Sequence, residues 1–180
     1  MNYFEFYDIP VSFTVDEPAL RRTFYENSKK YHPDFHTRSD ETQQARMLEL
    51  STLNTEAFHT LSDFDRRMQY ILKMEGLLQD DSQQSVGQDF LADMMDINEN
   101  LMELEFEFDP ERFSATEKAV DTLEKTLLDG IRPTLDNYRA NTGTRDDLQR
   151  VLEFFLKKRY LLRIRENLSK FAPRAGMAEW

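Results

Sequence analysis

The sequence predicts an all-α fold in two parts, and three observations carry that reading. Apolar residues recur every three to four positions through most of the chain, the spacing of one buried helix face. Only 5 Gly and 6 Pro occur among 180 residues, few for a β-rich chain with many tight turns. A polar stretch at 79–88 with almost no apolar content separates two sets of helical stripes. The expected organisation is a small helical domain over 1–76, a linker over 77–88, a three-helix bundle over 89–172 and a loose tail over 173–180.

In the first part, Tyr3, Phe4, Phe6 and Tyr7 make a brief aromatic helix stopped by Ile9-Pro10. Asp16 is an N-cap, with Glu17 and Pro18 in the first turn that follows. Leu20, Phe24 and Tyr31 then mark a core face, leaving Arg21, Arg22, Lys29 and Lys30 on wetter faces. Pro33 must end this helix, because it has no amide hydrogen and drives His32 out of the α region. Ser39-Asp40-Glu41 restarts a helix whose stripe is Met47, Leu50, Leu53, Ala57 and Leu61. The two helices are expected to pack as an antiparallel hairpin. Another helix runs from about Asp63 to Met74, with Gly76 as its C-cap.

Beyond the polar stretch, Phe90, Met94, Ile97, Leu101 and Leu104 form one long stripe. Asp109-Pro110 ends that helix and starts the next, along Phe113, Val120, Leu123 and Leu127. Gly130 and Pro133 are expected to kink or break it before Leu135 and Tyr138. Asn141-Thr142-Gly143 is a turn, and Thr144-Arg145-Asp146-Asp147 resembles a capping box. Leu148, Val151, Leu152, Phe155, Leu162 and Leu168 carry the last helix.

Composition narrows the function classes. Cys is absent, which excludes disulfides and thiolate metal sites and fits the cytoplasm. There is no basic segment followed by an apolar run at the N-terminus, and no apolar run of membrane-spanning length. A formal net charge of -11 argues against nucleic acid as a partner. His32 and His36 have metal-pair spacing, but Pro33 between them prevents a regular helix, so no metal or cofactor is expected. No nucleophile constellation occurs, and no catalytic residue is assigned.

Tyr31-His32-Pro33-Asp34 is the informative turn. Taken alone it is an exposed helix breaker. A basic helix before it and a new helix after it make it similar to the J-domain of DnaJ-type co-chaperones. Asn2-Tyr3-Phe4, Lys29-Lys30-Tyr31, Leu53-Asn54-Thr55-Glu56-Ala57 and Arg67-Met68-Gln69-Tyr70-Ile71-Leu72 fall where that family places its own elements. In the second part, Ala92, Met95, Asp96, Glu99 and Glu103 lie on the face opposite the first stripe, flanked by Leu91 and Met102. That face is either a solvated acidic surface or a binding surface for a basic partner.

A J-domain followed directly by a short helical bundle resembles the HscB family of iron–sulfur cluster assembly co-chaperones. The chain lacks the cysteine-bearing N-terminal extension of some eukaryotic members, which implies a bacterial type. The resemblance implies a non-enzymatic protein that binds an IscU-like scaffold and delivers it to a DnaK/HscA-type ATPase chaperone. His32, Pro33 and Asp34 would stimulate that ATPase, and Arg21, Arg22, Lys29 and Lys30 would dock it. Leu91, Ala92, Met95, Asp96, Glu99, Glu103 and Phe154 would hold the scaffold, with Phe155 the alternative anchor to Phe154. The other readings are a J-domain protein with a different client and a helical adaptor without a chaperone partner.

Overall fold

The structure, a computed structural model, describes residues 1–36, 40–78, 84–139 and 142–175. Residues 79–83 of the expected linker and 176–180 of the expected tail lie outside the described residues, as do Ser39 and Asn141. Every regular element among the described residues is helical. The chain divides into two compact units: Met1–Leu78 with Leu135–Arg145, and Gln79–Thr134 with Asp146–Trp180.

The first unit starts with α1 (Tyr3–Phe6), opened by a capping box between Asn2 and Glu5. Helix α2 (Glu17–Tyr31) begins at Asp16, whose carboxylate accepts from the Ala19 amide at 2.9 Å. It stops at His32, held extended at φ -62° and ψ 127° as the following proline requires. A single 3-10 turn, Pro33–His36, leads towards α3 (Glu41–Ser62). Asp40 caps α3, and Asp63 caps α4 (Phe64–Met74). Gly76 ends this run at φ 70°, a conformation that favours glycine. It turns the chain so that the Leu77 amide donates to the Leu72 carbonyl at 2.9 Å.

Helices α2 and α3 pack antiparallel. Phe24 stacks on Phe58 with ring centroids 4.3 Å apart, while Ser28 meets Asn54 one turn further along α2. Phe4, Tyr7, Leu20, Ala57, Leu61, Met68, Ile71 and Leu72 are buried in this unit. Tyr138, from the segment Leu135–Arg145, packs on Phe13 at 4.9 Å, and Arg139 donates to the Ser12 hydroxyl at 3.1 Å. The aromatic pair places Tyr138 in the same unit as the N-terminal helices, a placement that linear reading of the stripes did not give.

Two buried polar side chains fix the register of this unit. Asn54 accepts the Tyr7 hydroxyl proton at 2.9 Å and donates to the Phe24 carbonyl and the Ser28 hydroxyl, each at 3.1 Å. One amide thus ties α1, α2 and α3 together. Arg67 donates to the Phe13 carbonyl at 2.9 Å and to the Leu61 carbonyl, holding the loop before α2 against the end of α3. Burial lowers the Arg67 pKa from its ordinary value. Both groups are satisfied, which matters because an unpaired buried polar group costs about 1–3 kcal/mol.

The second unit contains α5 (Gln88–Asp93), α6 (Met95–Phe106), most of α7 (Pro110–Asn137), nearly all of α8 (Arg145–Ser169) and the short α9 (Ala172–Ala175). The long stripe expected as one helix is two. At Met94 the amide is shared between the Phe90 and Leu91 carbonyls, at 3.1 and 3.2 Å, and this tightening interrupts the regular α pattern. Helix α7 starts as expected, with the Asp109 carboxylate accepting from the Glu111 amide at 2.9 Å. It then runs unbroken through Gly130 and Pro133. Pro133 lies one turn from the helix end and removes a single bond, the one to the Asp129 carbonyl, so little of the ladder is lost. Phe90, Met94, Ile97, Leu101 and Leu104 share a core with Phe113, Val120, Leu161, Ile164 and Leu168. Arg165 on α8 bridges to Glu124 on α7 at 2.6 Å and also reaches Asp121.

Asn54→Leu removes the shared amide and its bonds to the Tyr7 hydroxyl, the Phe24 carbonyl and the Ser28 hydroxyl, leaving Tyr7 only the backbone carbonyl of residue 54. It is expected to lower unfolding free energy by about 2–4 kcal/mol, against about 1 kcal/mol for Tyr7→Phe, measured by urea titration. Burial also pushes the Tyr7 hydroxyl far above its ordinary 10.0. The stability this group contributes is fully present below the unfolded value and is lost as pH rises above it. Tyr7→Phe should therefore flatten the fall in melting temperature above about pH 10.

Candidate interaction sites

The first candidate site is the turn between α2 and α3. The Asp34 amide donates to His32 Nδ1 at 3.2 Å, and the Phe35 amide donates to the His32 carbonyl at 3.1 Å. With Nδ1 accepting, the proton of the neutral ring sits on Nε2. Asp34 Oδ2 lies 3.8 Å from Nδ1. Both side chains are open to solvent, at 52% and 83% exposure. Pro33 and Phe35 are exposed too, and the Phe35 ring stands edge-on to His32 at 5.8 Å.

The sequence reading set His36 beside His32 only to reject a metal pair. The structure gives it another task. His36 Nε2 meets the Lys30 carbonyl at 2.9 Å, so the ring caps the C-terminal end of α2 and fastens the turn to it. No group of three or more His, Cys, Asp or Glu side chains that would hold a metal occurs among the described residues.

The basic residues are all exposed. Arg22 and Lys29, seven residues apart, lie along one line of α2, roughly opposite Leu20, Phe24 and Tyr31. Arg21 and Lys30 flank that line on either side. The Lys30 ammonium sits 5.3 Å from the centre of the Tyr31 ring. Arg21, Arg22 and Lys29 make no ion pair among the described residues, so their charge is presented to solvent. The turn thus follows directly on Lys29 and Lys30 at the C-terminal end of α2, while Arg21 and Arg22 lie nearer its start.

The second candidate site lies on α5 and α6. Leu91, Ala92, Met95, Asp96, Glu99 and Glu103 are all exposed, as the sequence predicts. Glu103 is not open to a partner on the same terms as the others, because Arg112 on α7 holds it at 2.8 Å. The same face carries two more apolar side chains, Met102 at 70% exposure and Phe106 at 94%. Phe106 escaped the sequence reading, although its spacing of i+4 from Met102 and i+7 from Glu99 was legible.

The expected anchor from α8 needs correcting. Phe154 is 6% exposed and Phe155 is 5% exposed, so neither ring is presented to solvent. Apolar residues occur on every side of α8, and periodicity alone could not separate its buried faces from an exposed one. Phe154 instead lines a shallow groove with Leu127, Gly130 and Ile131 of α7. No helix among the described residues is long and apolar enough to cross a membrane.

Comparison with known proteins finds similarity over most of the chain. Residues 86–169 match the family described as the HSCB C-terminal oligomerisation domain. The chain is 36% identical over 77 residues to a co-chaperone protein HscB homolog of Psychromonas ingrahamii, covering 43% of this chain and 46% of that protein. It is 27% identical over 168 residues to the human iron-sulfur cluster co-chaperone protein HscB, covering 93% of this chain and 67% of that protein. The matched stretch thus spans about half of the first relative and two thirds of the second. The crystal structure of the human co-chaperone protein HscB superposes with a TM-score of 0.70 at 26% identity, covering 94% of this chain and 81% of that one.

Burial of Phe154 has a direct consequence. Phe154→Ala is expected to destabilise the fold by about 3–5 kcal/mol. Met95→Ala, at an exposed position, should stay within about 0.5 kcal/mol of wild type. Chemical denaturation of the two variants checks this, and equal, small losses would place Phe154 at the surface after all.

Proposed function

We propose that the chain, similar to HscB co-chaperones over most of its length, is a co-chaperone of iron–sulfur cluster assembly in which a J-domain and a helical bundle couple an IscU-like scaffold to a DnaK/HscA-type ATPase. The observation that carries this reading is the ordered, exposed turn of His32, Pro33 and Asp34 at the end of a solvent-facing basic helix. Residues 1–76 act as the J-domain and 89–172 as the scaffold-binding part, with 77–88 between them and 173–180 as a tail. The setting is the cytoplasm.

In this reading the chain performs no covalent chemistry. Arg22 and Lys29, flanked by Arg21 and Lys30, draw in an acidic surface of the ATPase, since complementary charge raises association rates. His32 and Asp34, held in a fixed relation by the turn, then bias the ATPase towards hydrolysis. The geometry is set before binding, so little ordering is lost on docking. Leu91, Ala92, Met95, Asp96 and Glu99 present the scaffold with apolar atoms beside carboxylates, and Glu103 reaches it only by giving up Arg112.

Steady-state ATPase assays with a DnaK-class chaperone test the reading. His32→Gln should leave the melting temperature within about the error of a surface substitution and remove most stimulation. Lys29→Glu and Arg22→Glu should weaken binding, and wild-type stimulation should decline as ionic strength rises. Normal stimulation by His32→Gln would contradict the role of the turn. Stimulation with no scaffold captured by the full chain would favour a J-domain protein for a different client, and no stimulation at all would favour a helical adaptor.

A further inference from the structure

Helix α6 has two apolar faces. Ile97, Leu101 and Leu104 face the bundle core and are buried. Met95, Met102 and Phe106 lie on the opposite side, at 58%, 70% and 94% exposure. At 100° per residue these three, with Glu99 among them, fall within an arc of about 60°. An isolated exposed apolar residue is ordinary, but three aligned over the full length of one helix form a ridge. Phe106 ends the helix between Glu105 and Glu107, and all three are exposed.

The charges around the ridge select its occupant. Helix α6 carries Asp96, Glu99, Glu103 and Glu105 and not one Lys or Arg. Arg112 neutralises Glu103, while Asp96, Glu99 and Glu105 make no ion pair among the described residues. A second copy docked face to face would set these acids against one another, which is destabilising. Nucleic acid and anionic lipid are repelled for the same reason. The ridge therefore fits a protein surface with an apolar trough rimmed by Lys or Arg.

We propose that the scaffold-binding surface extends about one helical turn past Glu103, to Phe106, with Met102 and Phe106 as its principal apolar anchors. This rests on the reading of the chain as a scaffold-binding co-chaperone. Energy in such interfaces concentrates in a few buried aromatic and long apolar side chains, while rim charges mainly set association rate and salt dependence. Phe106 and Met102 are the anchors, and Asp96 and Glu99 are the rim.

The test titrates the full chain with an apo IscU-type scaffold protein by calorimetry at two ionic strengths. Phe106→Ala and Met102→Ala are expected to weaken affinity at least about tenfold without changing its salt dependence. Asp96→Asn and Glu99→Gln should flatten the salt dependence with a smaller loss at physiological salt. Each variant should melt within about one degree of wild type, since the substituted side chains are solvent-exposed and distant from the core. Wild-type affinity in Phe106→Ala and Met102→Ala, alongside weakened binding by Leu91→Ala, would overturn the extension while the scaffold reading stands. Absence of binding by the wild-type chain would overturn the scaffold reading and the extension with it. Sedimentation showing a wild-type dimer that Phe106→Ala dissociates would assign the ridge to a second copy and overturn the proposal.

Discussion

The absence of an amide hydrogen on Pro33 is the constraint on which the first unit depends. A helix that continued through residue 33 would leave no turn there between α2 and α3. Pro33 instead holds His32 extended and admits only a single 3-10 turn before α3 begins. What that constraint leaves open, the buried Asn54 amide closes. By bonding to Tyr7, Phe24 and Ser28 at once, it sets the register between α1, α2 and α3. His36 then pins the turn to the last carbonyls of α2. Nothing in the turn is chemically unusual. Its geometry is set by bonds within the turn itself.

The second unit works by a different logic. Its core is a continuous cluster along α5, α6, α7 and α8, and that cluster accounts for only one side of α6. The other side keeps apolar side chains in water beside acids, an arrangement that folding does not require and that costs solubility. The Arg112–Glu103 pair shows that some of the acid row already serves the bundle, so the row and the ridge are not equivalent parts of one surface.

Much of this was legible in the sequence because it rests on local chemistry. Asp16 and Asp109 read as caps and are caps, and Gly76 reads as a terminator and has the positive φ that position needs. Pro33 ends a helix as its ring dictates. What was not legible depends on neighbours distant in sequence. Asn54 sits mid-helix like any polar residue until Tyr7 and Phe24 arrive around it. Pro133 reads as a breaker, yet its place near the end of α7 makes the penalty small. Phe154 and Phe106 show the limit of periodicity from both sides. One looked available and is buried, the other was passed over and is the most exposed large apolar side chain among the described residues. A helix wheel orders residues around an axis without saying which arcs are covered.

The central claim is that two separate surfaces of one chain engage two different partners. Amide chemical-shift mapping of the full-length protein, titrated in turn with an ATP-bound DnaK-class chaperone and with an apo IscU-type scaffold, tests it most directly. The account predicts two disjoint sets of perturbed amides. One centres on Arg22, Lys29, His32 and Asp34, and the other on Leu91, Met95, Glu99, Met102 and Phe106. Perturbation of the same set by both partners, or of neither set by the scaffold, would contradict it.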